Sequence, residues 1–463
     1  MYRLGIDVDG VNTYCVVVSQ NLQVICKAQL PTTDDVLTGI EQIVRHVLQH
    51  AGLHPSQIKA VIIGTSQGYK ALLDHQNLAG VITIRLGTSK GSIPPLYEAD
   101  QSLQQAIRLR YVELPGGHMV DGTPYPMENS RSLLEQFLRG VSVNPDDAFA
   151  IASTFSPMNG DHERQVAAWI KQLCGTHVSL TMSHEIGNIG FLERENTAVL
   201  NAALARSMRQ TLCGLTELFQ CLGVSAGIFL TQNNGSVMSH TYALRYPIRT
   251  LCSRACNSFR GAAFLAGRND CVMVNVEENL THIGIWKKGF PKLIGVGRKI
   301  AGIPVNLQMP EISTLDWGAK REVDDDALDR IYQAIQRYQP RFEPLPILFT
   351  GEGSEKVVPL FKYPWADVVQ TDHTAYVSAI GACIAPISGH VDRMYWLNEN
   401  NGRDEAIALA KEEAVKEAVL AGANPETVNI QAIEAAPLSY IPCQALRIQV
   451  RATGLIEPNG PFR

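Results

Sequence analysis

Two stretches of this chain read as the same small object. GIDVDGVNTYCVVV, residues 5–18, is a strand, a polar turn and a second strand, and VNVEENLTHIG, residues 274–284, follows the apolar Cys271, Val272 and Met273 with the same pattern. Laying Asp7 on Asn275 also puts Asp9 on Glu277, Gly10 on Glu278 and Thr13 on Thr281. An internal repeat of this kind constrains architecture more than composition can, because it implies two like units with a hairpin at the head of each. The second copy carries Glu277 and Glu278 where a tight hairpin favours glycine.

A chain of 463 residues is too long for one ordinary core, and a prior of about 150 residues per domain gives two or three. Its 45% apolar and 18% charged residues suit a globular protein. A net charge of -5, with no stripe of Lys and Arg interleaved with aromatics, gives no reason to expect nucleic acid as a partner. MYRLGIDV enters a strand at once without a leader-like pattern, and no run of about 20 apolar residues suggests a membrane span. The ten cysteines are scattered, and the closest pair, Cys252 and Cys256, is not spaced as a zinc ribbon. They read as reduced, mostly core thiols, and the expected location is cytoplasmic.

Strand and helix alternate from the N-terminus: LGIDV, YCVVV and LQVICKAQL, a helix from Val36 to Ala51 capped by Thr33 or Asp34, the buried strand AVIIGTS, a helical YKALLDH, and VITIRL. Residues 111–126 read as loop, ahead of a helical SRSLLEQFLRG. AFAIAST leads to a helix that His162 and Glu163 begin, and VSLTMSH gives way to a polar segment, EIGNIGFLEREN. A long helix follows from Thr197 to Cys221, then AGIFLTQNNGS as strand and turn, and a helix that closes at Gly267. After the second hairpin come a helix from Asp324 to Arg337, the strand and glycine turn PILFTGEGS, and the small-residue helix SAIGACIAPISG. The pattern predicts an α/β fold of two lobes, with mixed sheets flanked by helices around a central cleft, plus a small C-terminal α+β unit. The expected boundaries are 1–185, 186–390 and 391–455, with a tail at 456–463.

Repeated hairpins with Asp and Gly in their turns resemble those of the actin, hexokinase and heat-shock ATPase superfamily, in which they clasp nucleotide phosphates. Over nearly the whole chain the resemblance narrows to the A-type subunit of the hydantoinase/oxoprolinase family. GIDVDGVNTYCVV is similar to that family's GIDVGGTNTD, and IGTSQGYKALLDH to its GTT-x-x-x-NALLE segment. SPMNGDHERQVA, SHEIGNIGFLEREN, TQNNGSVM, YPIRTLCSRACNSFRGAAFLAG, AGIPVNLQMPEI and AIGAC stand in family order. The resemblance implies an actin-like, ribonuclease-H-like fold, Mg-ATP as cofactor, and opening of a cyclic amide such as a hydantoin or 5-oxoproline. It also implies a B-type partner subunit, or a further C-terminal domain, and an oligomer. The chemical logic is that phosphorylating the amide oxygen turns it into a leaving group, with the ATPase half cradling phosphate.

The sequence departs from the family where phosphate would be held. D-I-G-G-T-T-T-D-x-G is the usual second hairpin; here only Thr281 and Gly284 remain, and both turn glycines have become Glu277 and Glu278. In the first hairpin Asp7, Gly10, Asn12 and Thr13 match, whereas Asp9, Val11 and Tyr14 replace Gly, Thr and Asp. Gly351, Gly353 and Ser354 match the GGGS of the nucleoside turn, with Glu352 in second place; Asn234 replaces the Asp of TQNDG, and LDWGAKREV replaces a glycine-rich run. A carboxylate about 4 Å from a phosphate charge costs on the order of 4 kcal/mol at an effective dielectric near 20. The pattern therefore points away from ordinary ATPase chemistry.

The candidate cleft comprises Asp7, Gly10, Asn12, Thr13, Gly64, Thr65, Asn233, Gly235, Glu277, Glu278 and Thr281, with Gly351, Gly353 and Ser354 forming a nucleoside-like pocket. Asp7, His184 and Glu185 are the candidates for catalysis, and no metal-ligand set is assigned, since none of the His and Glu pairs forms HExxH. Glu193, Arg194 and Glu195 read as an ion-pair cluster at a domain cleft, which the resemblance places in an interior loop, and Cys256 as a core thiol. Three functions stay open. The chain is a cyclic-amide hydrolase subunit, or a degenerate ATPase fold that binds a ligand or scaffolds a catalytic partner, or an enzyme whose cleft now works without nucleotide.

Overall fold

The computed structural model describes residues 2–87, 93–295, 297–316, 323–340, 342–397, 402–437 and 445–456. Most of LDWGAKREV and nearly all of the tail lie outside these residues. The chain opens with β1 (Tyr2–Val8), β2 (Asn12–Ser19) and β3 (Val24–Pro31), an antiparallel meander in which β1 and β2 are buried on both faces, as their apolar runs require. Helix α1 (Val36–His50) covers them with Ile40, Ile43, Val44 and Val47. Its cap is Asp35, one residue beyond the expected pair, whose carboxylate accepts from Leu37 N and Thr38 N at 3.3 Å each. β4 (Ile58–Thr65) then runs parallel to β1 and leads into α2 (Gln67–Asp74).

A separate parallel sheet follows, built from β5 (Val81–Leu86), β6 (Arg110–Leu114), β7 (Ala148–Ser153) and β8 (Ser179–Met182) in the order β6-β5-β7-β8. Helices α3 (Gln101–Ala106), α4 (Ser130–Gly140) and α5 (Asp161–Cys174) make its connections. β6 lies inside the passage expected to be loop: its alternation of half-buried and exposed residues at an edge carries too little apolar signal to be read.

The polar EIGNIGFLEREN is the second correction. From Phe191 it forms α6 (Phe191–Ala203), which stops at Leu204 before α7 (Ala205–Cys221), so the expected single long helix is two. Arg194 and Glu195 are fully buried on α6, where their polar groups are satisfied by other elements: Glu195 takes Arg85 Nε at 2.8 Å, and Arg194 donates to Ser183 Oγ at 2.9 Å.

β9 (Gly227–Thr231) and β10 (Val237–Ser239) lead through α8 (His240–Arg245) to α9 (Ser253–Leu265). The second hairpin, β11 (Cys271–Val276) and β12 (Leu280–Lys287), pairs Asn275 with His282 where the first pairs Asp7 with Tyr14. The turn bonds also match, Asp9 N to Asn12 O at 3.0 Å and Glu277 N to Leu280 O at 2.8 Å. Short strands β13 (Phe290–Pro291), β14 (Leu293–Ile294), β15 (Arg298–Ile300), β16 (Ile303–Val305), β17 (Met309–Pro310) and β18 (Ile312–Asp316) intervene before α10 (Asp325–Tyr338). β19 (Ile347–Thr350) lies parallel to β11 as β4 does to β1, and β20 (Val368–Gln370) completes a six-stranded sheet after the short α11 (Ser354–Val357).

Helix α12 (Val377–Ile384) packs on α9 with almost no side chain between them. A Cβ at Gly261 would lie 1.9 Å from Val377 O, and one at Gly381 1.9 Å from Asn257 O. Gly381→Ala is therefore expected to lower unfolding stability by about 2 kcal/mol, the overpacking cost less the roughly 1 kcal/mol that alanine returns in helix propensity. Urea denaturation reads this directly, and an unchanged midpoint would disprove the backbone contact.

β21 (Ile387–Trp396), α13 (Arg403–Leu420), β22 (Asn429–Pro437) and β23 (Ala445–Gly454) close the chain. Ala406, Ala410, Ala414 and Ala418 form a buried stripe on α13 that lets its backbone approach Gly389, where a Cβ would meet Ala414 O at 2.1 Å. These strands join the first sheet, giving nine in the order β22-β23-β21-β10-β9-β4-β1-β2-β3. The described cysteines are free; Cys15, Cys256, Cys271 and Cys383 are buried, but Cys213, Cys221 and Cys252 are exposed, so the expectation of core thiols holds for only part of the set. Among the described residues no helix is long and apolar enough to cross a membrane.

Candidate functional site

The two hairpin turns face each other across a cavity of about 190 Å³ lined by Asp9, Gly10, Asn12, Glu277, Glu278 and Gly351 among others. An arginine fills the space between the turns. Arg254, near the start of α9, places Nη1 2.5 Å from Asp9 Oδ2, and Nε 3.5 Å from Asp7 Oδ2 and 3.3 Å from Glu277 Oε1. Burial opposes the guanidinium charge, yet Asp7, Glu277 and Asp9 together hold its pKa above the ordinary arginine value.

Each carboxylate is anchored by its own turn. Asp9 Oδ1 accepts from Val11 N at 2.7 Å and Asn12 N at 2.5 Å, which is how an aspartate serves where the family uses glycine. Asp7 is buried beside Gly64 and accepts from Ser378 Oγ at 2.7 Å. Burial raises its pKa, Arg254 and Ser378 pull it back, and Asp9 and Glu277 add to the rise. Asn275 Nδ2 donates to Glu277 Oε1 at 3.0 Å. Glu278 is exposed and lines the same cavity.

The remaining candidates fall around this cluster. Thr13 and Thr281 are buried on β2 and β12, with Thr13 Oγ1 3.0 Å from Thr32 Oγ1, and Thr65 Oγ1 accepts from Gln67 N to start α2. Gly351 has φ +86°, and a Cβ there would lie 2.3 Å from Val276 O; one at Gly353 would meet Val276 Cγ1 at 2.6 Å. Ser354 Oγ donates to Gly351 O at 2.7 Å. The glycine turn is thus packed on the second hairpin. Beside it Glu352 accepts from Tyr14 Oη at 3.0 Å, a bond that ties the first hairpin to the second sheet.

His184, Glu185 and Asn233 stand elsewhere, on a larger cavity of about 390 Å³ that shares no lining residue with the first. Gly235 lies nearby with its carbonyl accepting from Arg260 Nε at 2.9 Å. Glu163, fully buried on α5, accepts from His184 Nδ1 at 2.6 Å, His184 N at 3.1 Å, Ser183 Oγ at 2.6 Å and Ser153 N at 2.9 Å. Burial alone would raise its pKa, but His184, Arg194 and Ser183 more than reverse this. The carboxylate fixes the imidazole ring, and His184 Nε2 meets Arg164 Nη1 at 3.2 Å. Glu185 is held by Arg245 and by Tyr246 Oη at 2.9 Å. Cys256 Sγ lies 3.2 Å from Asn233 O, and burial pushes its thiol up to about 12, which leaves it unreactive.

Sequence reasoning missed Arg254, Ser378 and Glu163 as partners, because each meets its site from a distant segment. The only signal for Arg254 was a basic residue in the small-residue helix SRACNSFRGAAF.

The hairpin cleft does not fit Mg-ATP. Its volume is below the roughly 300 Å³ at which small-molecule pockets begin. Arg254 and three carboxylates occupy the space between the turns, and Glu277 stands on a turn where backbone N–H groups would otherwise approach phosphate.

Comparison with known proteins bears on the whole chain. The family model for the hydantoinase/oxoprolinase N-terminal region matches residues 3–174, and that for hydantoinase/oxoprolinase matches residues 194–329. No curated protein matches. Among solved structures, the ATP-dependent caprolactamase from Pseudomonas jessenii is similar with a TM-score of 0.75 at 13% identity, covering 98% of this chain and 88% of that one. An acetone carboxylase, in a nucleotide-free structure from work on ATP-dependent acetone carboxylation, is similar with a TM-score of 0.68 at 13% identity, again covering 98% and 88%. Those likenesses bear out the two-hairpin α/β fold. With both models aligned in order along a chain whose hairpins repeat in register, this protein belongs to the hydantoinase/oxoprolinase family.

Proposed function

We propose that this chain is an A-type subunit of the cyclic-amide hydrolase kind whose hairpin cleft no longer turns over ATP. It acts by binding a ligand and holding a B-type catalytic partner. The observation that carries this reading is Arg254, bound at once by Asp7, Asp9 and Glu277. A triphosphate entering the cleft would have to draw the guanidinium away from three carboxylates and then lie against them. At about 4 Å and an effective dielectric near 20, each such unit-charge pair costs on the order of 4 kcal/mol. The expected breaks at residues 185 and 390 do not divide the sheets, because β9, β10, β21, β22 and β23 share one sheet with β1 to β4 and residue 390 falls inside β21.

Calorimetric titration of the isolated chain with Mg-ATP is expected to show no saturable heat, that is, a Kd weaker than about 1 mM. Hydantoin and 5-oxoproline are expected to persist unchanged in its presence. Saturable micromolar binding, which would also raise the melting temperature by mass action, would overturn the reading. Repeating the titration with a B-type partner present shows whether the pair restores a site that the single chain lacks.

A further inference from the structure

The larger cavity has an unusual imbalance. All four carboxylates on its wall are engaged. Glu185 takes Arg245 and Tyr246, Glu417 takes Tyr242 Oη at 2.7 Å, Glu413 takes Arg393 at 3.1 Å, and Asp392 takes Arg447 at 2.7 Å. Arg249 lines the same wall and, among the described residues, forms no ion pair within 4.0 Å. Its guanidinium is held over the rings of Tyr242 and Tyr246 at 5.4 and 5.1 Å, and among the described residues its one hydrogen bond is a long one, 3.4 Å, to the Glu185 carbonyl.

Buried donors and acceptors without partners surround it. Arg249 Nε and Asn233 Nδ2 are donors, and Gln232 Oε1 and Gln308 Oε1 are acceptors; none has a partner among the described residues. A buried unsatisfied polar atom costs about 1–3 kcal/mol, so four on one cavity form a cost that a ligand would remove.

We propose that this cavity binds a small organic carboxylate that also carries a hydrogen-bond donor, with Arg249 as its anchor. The pre-oriented guanidinium offers a carboxylate two parallel N–H groups, and Asn233 Nδ2 supplies a further donor. Gln232 and Gln308 accept from the ligand's own N–H or O–H. The volume of about 390 Å³ falls in the small-ligand range. Phosphate, with few protons of its own, offers the two unpartnered acceptors, Gln232 Oε1 and Gln308 Oε1, little to receive, which favours a carboxylate that carries its own donor. This site is independent of the nucleotide reading, because the two cavities share no lining residue.

The test is calorimetry on the full chain with lactate and N-acetylglycine, set against propionate, acetamide and inorganic phosphate. Lactate or N-acetylglycine is expected to bind with a Kd tighter than about 1 mM. Propionate, which has no donor, is expected to bind at least about 10-fold more weakly, and acetamide not at all. Arg249→Lys keeps the charge but not the paired N–H groups and should weaken binding at least about 10-fold. Asn233→Asp is a nearly isosteric second variant. Its lost Nδ2 makes no bond in the free protein, so the fold is retained while the new charge repels the ligand and abolishes detectable binding. Absence of carboxylate binding, phosphate binding as tightly as carboxylate, or affinity unchanged in either folded variant would overturn the proposal. The Mg-ATP titration does not read this site, so failure of one leaves the other to stand on its own result.

Discussion

Arg254→Met is expected to destabilise the protein by about 3 kcal/mol at neutral pH, the lower end of what removing one partner of a buried ion pair costs. The lower end applies because the Arg254 side chain retains 31% exposure. The loss arises less from the missing contacts than from what remains, Asp7 buried in a ring of like charge with Asp9 and Glu277. Its dependence on pH identifies the cause. Asp7 already has a folded pKa above its ordinary 3.8, through burial first, and loses its main counter-charge in the variant. A carboxyl with a raised folded pKa contributes stability that is complete below the unfolded value and is lost as pH rises through the folded one. The gap between variant and wild type should therefore be small near the ordinary aspartate pKa and widen as pH rises. Urea denaturation across the acid range measures it. A constant gap would show that Arg254 matters only as packing.

Glu163→Ala should cost more, about 3–5 kcal/mol, since the carboxylate is fully buried and accepts four hydrogen bonds. Removing it leaves His184 Nδ1, Ser183 Oγ and two backbone N–H groups without an acceptor, and deprives the nearby Arg194 of a counter-charge. Here the sign with pH is reversed. The folded pKa of Glu163 lies below its ordinary 4.5, so its contribution is present above that value and is lost as pH falls through the folded one. Wild-type stability should fall across that acid range while Glu163→Ala, already lacking the group, falls less steeply. Parallel profiles would show that the buried carboxylate is not ionised in the folded protein.

What was legible in the sequence was what local pattern and repetition can carry. The register of the two hairpins follows from placing Asp7 on Asn275, and the strand pairs bear this out residue by residue. What was hidden depends on contacts between distant segments. Glu193, Arg194 and Glu195 read as an ion-pair cluster, but not as part of a helix, and the partner that makes the burial of Glu195 tolerable, Arg85 from β5, lies 110 residues away. The glutamate at 277 reads as pure repulsion until α9 brings Arg254 to it. The glycines at 351 and 353, which match the GGGS of a nucleoside turn, suggest a ligand, whereas their immediate neighbours are Val276 and Asn275 of the same fold. Arg249 and Asn233 are separated by little sequence, but their unpaired atoms become visible only when Gln308 is brought alongside from the far side of the second hairpin.

The nine-stranded sheet has one further consequence, for the order in which the protein can be made. β10 lies between β9 and β21, so its outer edge is covered only by residues from Ile387 onward. During synthesis, at about 5–20 residues per second, that edge waits while the whole second sheet is translated. A nascent chain therefore carries an open strand through much of its production, and β21, β22 and β23 serve as the closure that ends its exposure to wrong partners.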